Sequence, residues 1–328
     1  MTADVKQEVR QFYDQVGWSL VGDDLYQNAR YEDLRPVARE YIHRCHLRVS
    51  RHLTHGETTG RLGTTGRFML DAGSGPIQYP EYLEYSREYQ YRVCADISIT
   101  ALIEARKRLQ TLYPDREHGL FVVADIANMP FKANAFDGIV SLHTIHHLPE
   151  DEHLQAYLGL HRLLSPGRNA VVVNGWPSSP LMASFESLVR LSNRLRSLTR
   201  RVGSITRRLI KPFRGQTASR PAGNARPDNR LYSTAQQPSS GEPQSNVVNR
   251  KGTFTSRHDV AWMKTEVGAQ IPVEILVWRS ASVRFLRAVI LPWLGGRYWL
   301  RLLYRLEEHN PHYYGENGQY PLIVIRKS

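Results

Sequence analysis

The stretch Phe68-Met69-Leu70-Asp71-Ala72-Gly73-Ser74-Gly75-Pro76 decides the fold. Three apolar residues make a short strand and Asp71 ends it. Gly73 and Gly75 then let the backbone turn sharply and let a ligand approach the chain. The arrangement recurs downstream. Tyr91–Ala95 reads as a strand followed by Asp96, and Leu120–Ala124 as a strand followed by Asp125-Ile126. Ile99–Leu112 has helical spacing, with Ser98 or Thr100 as its cap. Phe136–Leu142 and the valine-rich Asn169–Asn174 are further strands, and Glu152–Leu164 is a helix that stops before Pro166-Gly167. Apolar strands alternating with helices predict a parallel sheet covered on both faces. Ligands of such sheets bind at the C-terminal strand ends, where Asp71, Asp96 and Asp125 are expected to lie side by side.

Working outward, residues 1–66 are helical and aromatic. Val5, Val9, Phe12, Tyr13 and Val16 recur at helical spacing until Gly17, and Pro36 opens a second helix with Val37, Tyr41, Cys45 and Val49 on one face. Past the strands, Leu188, Leu191, Leu195, Leu198, Val202, Ile205 and Leu209 form one stripe of a long arginine-rich helix. A Pro-, Gly-, Ser- and Gln-rich stretch follows over 215–252. Order resumes with a helix over 257–268, a strand over 273–278 and a closing strand over 320–326. The net charge of +12 sits entirely in residues 181–257, where 15 Lys/Arg meet 3 Asp/Glu, so it need not belong to the core. Two unrelated cysteines, Cys45 and Cys94, exclude a disulfide framework and a cysteine zinc site, and the histidines lack acidic partners at ligand spacing, so no metal is expected. The charged N-terminus and the lack of ~18 uninterrupted apolar residues point to a cytoplasmic chain, peripheral at most to a membrane.

Taken together, the motifs resemble the class I S-adenosylmethionine (SAM)-dependent methyltransferases, within them the quinone-type and other small-molecule branch. The resemblance rests on Leu70-Asp71-Ala72-Gly73-Ser74-Gly75, Val93-Cys94-Ala95-Asp96-Ile97-Ser98, Ala124-Asp125-Ile126 with Met129-Pro130-Phe131, Ala135-Phe136-Asp137-Gly138-Ile139-Val140 leading to His146-His147-Leu148, and Leu163-Leu164-Ser165-Pro166-Gly167. It implies an α/β fold: a Rossmann-like, seven-stranded, mostly parallel sheet with an N-terminal helical lid and a basic insertion. The implied divisions are a lid over 1–66, a SAM-binding core over 67–180, the basic insertion over 181–253 and a C-terminal completion of the sheet over 254–328. The implied roles put Gly73 and Gly75 at the methionine end of SAM and Asp71 near its amino group. Asp96 binds the ribose, Ile97 the adenine edge, and Asp125 with Ile126 the adenine. His143 sits beneath the cofactor, and Tyr13 and Trp18 belong to the lid.

A nicotinamide-dehydrogenase reading fails because the position of its third glycine holds Gln78, and Pro76 crowds the helix N-terminus that a pyrophosphate needs. A nucleic-acid methyltransferase is disfavoured, since Ser141-Leu142-His143-Thr144 stands where an Asn/Asp-Pro-Pro motif is expected. The expected activity is methyl transfer to a small-molecule or lipid-like acceptor, with His143 or His146 as candidate proton acceptors. The alternatives are a SAM-binding protein without catalysis and an RNA methyltransferase. Leu, Trp and Arg residues mixed through 284–305, like the stripe over 188–214, suit contact with an anionic membrane surface.

Overall fold

The computed structural model describes residues 2–22, 25–27, 32–54, 66–194 and 253–328. The chain opens with α1 (Thr2–Phe12), whose end widens into a π turn over Tyr13–Gly17. A two-stranded ribbon, β1 (Leu20–Gly22) and β2 (Leu25–Tyr26), and α2 (Arg39–Thr54) follow. The sheet is then built from β3 (Gly66–Ala72), β4 (Tyr89–Asp96), β5 (Gly119–Val123), β6 (Gly138–Leu142) and β7 (Arg168–Val173). Between them come α3 (Pro80–Glu84), α4 (Ile99–Leu112) and α5 (His153–Leu163). Ser98 is the cap of α4, accepting the Ala101 amide at 3.1 Å. Next are α6 (Pro180–Ser184) and α7, described over residues 186–194. The final third holds α8 (Val260–Trp262), β8 (Val273–Arg279), α9 (Val283–Val289), α10 (Gly296–His309), α11 (Pro311–Asn317) and β9 (Tyr320–Lys327).

The sheet has seven strands in the order β5-β4-β3-β6-β7-β9-β8, all parallel except β9. The strand order reverses beside β3, since β4 lies on one flank and β6 on the other. That reversal opens a crevice at the C-terminal end of β3, where the glycine turn lies. The last strand slots between β7 and β8 and pairs antiparallel with both.

Period-2 alternation explains both layers. Leu70, Ile139, Val172, Ile323 and Ile325 face Leu160 and Leu163 of α5 on one side. Met69, Val140, Val171, Val173 and Val324 face Tyr41, Cys45, Val49 and Leu53 of α2 on the other. Thus α2 covers the sheet, while α1 lies at the strand ends. Several expected boundaries move. Helix α2 begins after Pro36, which sits in the preceding turn, and Pro80 opens α3, as its fixed φ favours at the first helical position. The helix expected over 257–268 is α8 continued by a π turn over Met263–Val267. The leucine stripe beyond residue 194 and the Pro/Gly-rich stretch lie outside the described residues.

The apolar 284–305 segment splits in two. Leu286, Ala288 and Leu300 are buried, whereas Trp293 is 77% and Tyr298 66% exposed, with Leu294 and Trp299 beside them. Among the described residues no helix is long and apolar enough to cross a membrane.

A buried carboxylate fastens α10 to α2 and to the end of β8. Glu307 accepts hydrogen bonds from the Tyr41 hydroxyl at 2.6 Å, from Arg48 Nη1 at 2.9 Å and from the Ser280 amide at 2.9 Å. Arg48 also donates to the Trp278 carbonyl at 2.7 Å and to Glu308 at 2.7 Å. Replacing one partner of such a pair leaves the other charge buried and unpaired. Glu307→Leu is expected to cost about 3 kcal/mol of folding stability in urea denaturation, because the Ser280 amide and Arg48 lose their buried carboxylate while Glu308 still holds Arg48 Nε. A loss below ~1 kcal/mol would show that Arg48 finds other partners.

Candidate active site

A cavity of about 600 Å³ opens at the C-terminal ends of the parallel strands. It falls within the ~300–1,000 Å³ usual for small-ligand sites. Every residue singled out from the sequence lines it: Asp71, Gly73, Gly75, Asp96, Ile97, Asp125, Ile126, His143, His146, Tyr13 and Trp18.

The floor is the turn after β3. Gly73 has φ +78°, and a Cβ there would stand 2.2 Å from Thr144 Cγ2. Gly75 has φ +54°, and its Cβ would press to 3.0 Å on the Trp18 ring. Both positions therefore require glycine, one for the approach of the loop after β6 and one for the lid. Asp71 is held from behind through one oxygen, Oδ2. Buried Arg92 binds it through Nε and Nη2 and donates a further bond from Nη1 to the Tyr82 carbonyl at 2.5 Å. Asp71 thus anchors the turn from below.

Asp96 ends β4 and accepts the Gly75 amide on one oxygen and the Ser98 amide on the other, both at 2.8 Å. Burial raises its pKa to about 6, against the pull of these two amides. Asp125, just beyond β5, accepts the Ala127 amide at 3.0 Å and Lys6 Nζ at 2.5 Å. Lys6 stands on α1 and also meets Glu152, so the lid is fastened across the cavity by charge. Burial opposes the lysine's charge, but its two carboxylate partners outweigh it and its pKa is raised. Tyr13 stacks on Trp18 with centroids 5.1 Å apart, and the Trp18 indole nitrogen is buried without a partner among the described residues.

Three histidines follow β6. His143 has φ +56°, an uncommon left-handed conformation for a residue with a side chain, and its ring meets those of Trp278 and Tyr320 at 5.2 and 5.7 Å. Burial, aided by Arg279 and Arg257, lowers its pKa to about 3. Burial likewise lowers His147 to about 4 and drives His146 well below its usual value. His147 faces the Phe254 carbonyl with Nδ1 at 2.8 Å, which makes that nitrogen the donor. Its Nε2 therefore accepts the Tyr13 hydroxyl, at 2.8 Å. His146 instead turns toward Asn174, at 3.3 Å.

Several lining residues carry no signal in the glycine and strand-end pattern: Lys6, Glu32, His147, Arg257, Arg279 and Arg287. Arg279 was within reach of that logic. It ends β8, a strand parallel to β4, just as Asp96 ends β4. Among the described residues no group of His, Cys, Asp and Glu has the arrangement to hold a metal ion.

The histidine shifts predict a pH dependence. Each ring is neutral in the folded chain and has an ordinary pKa near 6.5 when unfolded. Their contribution to stability is complete above pH 6.5 and is lost as pH falls toward 4 and 3. Imidazole NMR titration should show His143 and His147 unprotonated at pH 5; a midpoint above 6 for either would contradict its burial.

A family model described as a methyltransferase domain matches residues 70–172. No curated protein matches the sequence. Among solved structures, the cyclase SpnF is similar over 98% of this chain and 96% of its own, at 15% identity and a TM-score of 0.50. Geranyl diphosphate methyltransferase, solved with GPP and sinefungin, is similar over 99% of this chain and 100% of its own, at 13% identity and a TM-score of 0.50. One of these names a cyclase and the other a methyltransferase, so the shared fold does not by itself name a reaction. The domain implies S-adenosylmethionine as cofactor. The matched residues 70–172 carry the floor and the strand-end acids of the cavity.

Proposed function

We propose that the chain transfers the methyl group of SAM to a small-molecule acceptor bound in the same cavity. The observation that carries this reading is one cavity lined both by the glycine turn, Asp96 and Asp125 and, past His143, by Arg257, Arg279 and Tyr320. The residues fit the cofactor. Each Asp96 oxygen accepts one backbone amide and keeps a lone pair for a ribose hydroxyl. Gly75 lets the Trp18 ring pack down on the turn, where a side chain would press on it. Ile97 and Ile126 offer apolar edges to an adenine, with Asp125 beside them, and Tyr13 with Trp18 closes the lid above.

When bound, SAM supplies a methyl group already activated on a sulfonium, so alignment with the acceptor provides much of the acceleration. The chain's part is to bind, orient and exclude water. Lys6 holds the lid to Asp125 and Glu152. His143 and His147 are weak bases at pKa values of about 3 and 4, so they position the acceptor better than they deprotonate it. The Tyr13 hydroxyl is held on His147, with its proton directed at Nε2.

Isothermal titration with S-adenosylhomocysteine (SAH) tests the donor site. Asp96→Ala should weaken binding about tenfold or more, since a charge-assisted bond is lost. The Asp96 carboxyl ionises at about 6, so affinity should decline as pH falls from 7 to 5, and Asp96→Asn should flatten that decline. Absence of SAH binding by the wild-type chain would sink the reading.

The same proposal includes contact with an anionic bilayer, favoured by exposed Trp293, Leu294, Tyr298 and Trp299 beside Arg297. Flotation with vesicles containing phosphatidylserine should be reduced severalfold by the double change Trp293→Ala and Trp299→Ala. Equal flotation of that variant would exclude this surface.

A further inference from the structure

The chamber beyond His143 differs in charge from the donor half. Sheet order separates the two: Asp96 and Asp125 stand at β4 and β5, and Arg279 ends β8 at the opposite edge, with His143 between them after β6. Arg279, Arg287 and Arg257 line this part of the cavity together with Glu32, whose carboxylate pairs with Arg279.

Arg279 is the built element. Its side chain is 2% exposed, and its guanidinium lies over the rings of Tyr320 and Trp278 at 4.7 and 4.8 Å. One terminal nitrogen is bound by Glu32, while Nε has no partner among the described residues. Glu32 is itself fixed, because it also accepts the Asp33 amide at 3.0 Å. Arg287 donates to the Glu32 carbonyl at 2.7 Å and so helps to hold that residue in place. Arg257 stands at the exposed mouth. The three histidines are neutral, so they do not add to the charge. Arg279 and Arg257 thus bring two cations to the one carboxylate of Glu32, and Arg279 keeps a cationic N–H without a protein partner among the described residues.

We propose that this chamber takes a methyl acceptor bearing an anionic group, a phosphate or a carboxylate, seated on Arg279 and Arg257. Tyr79, Tyr82 and Tyr320 line the same space and offer aromatic faces to the acceptor's uncharged body. The proposal rests on reading the other half of the cavity as the donor site.

Octanol, octanoate and octyl phosphate share one chain and differ in their headgroup, so they serve as calorimetric probes. Each is titrated into the full chain with and without saturating SAH. At least one anion should bind about tenfold or more tightly than octanol, with an affinity that falls as salt rises. The stronger of the two identifies phosphate or carboxylate as the preferred group. Arg257→Gln, at the exposed mouth, and Arg279→Lys should each weaken that anion about fivefold or more, with thermal melts confirming folding. If Arg279→Lys does not fold, Arg257→Gln decides. Octanol binding as tightly as both anions, or anion affinity unchanged in Arg257→Gln and in folded Arg279→Lys, would overturn the proposal. Failure of SAH to bind would count against the donor site alone, because the titrations without SAH still decide the headgroup.

Discussion

Glu307 is the interaction on which the far side of the cavity depends. Its carboxylate gathers a tyrosine hydroxyl and an arginine from α2 and the backbone amide that follows Arg279. The Ser280 carbonyl in turn accepts the Gln319 amide at the threshold of β9. One buried charge thus sets where β8 ends, and with it where Arg279 enters the chamber. Arg48, the cation opposite Glu307, is itself 3% exposed and is shared with Glu308, so its removal would leave Glu307 buried without a cation. Asp71 and Arg92 do the same for the donor side, beneath the glycine turn.

Charge also links the two halves chemically. The arginines that line the far chamber are among the causes that hold His143 and His146 neutral, next to burial itself. A site built this way gives up strong bases. It suits an acceptor that arrives ionised, or one whose proton leaves only as the new bond forms, and it turns the histidines into shaped walls with fixed tautomers. The Phe254 carbonyl on His147 Nδ1 is an instance, because it decides which ring nitrogen meets Tyr13.

The donor side was legible because its logic is local. Asp71, Gly73, Gly75, Asp96 and Asp125 each sit within a few residues of an apolar run, and a strand ending in an acid announces itself. The sharp turn at Gly73 and Gly75 was expected from the two glycines, and both have positive φ. The destination of the Asp71 carboxylate was not, because Arg92 reaches it across two strands at a separation of 21 residues. Nor was Lys6 on Asp125, 119 residues apart, or Arg279 on Glu32, 247 residues apart. Such pairs depend on the packing of α1 and the C-terminal strands, which no periodicity encodes. His143 in the left-handed region had no sequence signal either.

The placement of β9 between β7 and β8 bears on the order in which the molecule can be assembled. Strand β8 makes no pairing with β7 and joins the sheet solely through β9, although β9 is synthesised 41 residues after β8 closes at Arg279. On the ribosome, the glycine turn, Asp96 and Asp125 can find their neighbours in β3 to β6 while β8 is still unattached. The arginine-bearing wall can join the sheet only with the last strand to leave the ribosome, after the strand ends that carry the glycine turn, Asp96 and Asp125 have all been synthesised.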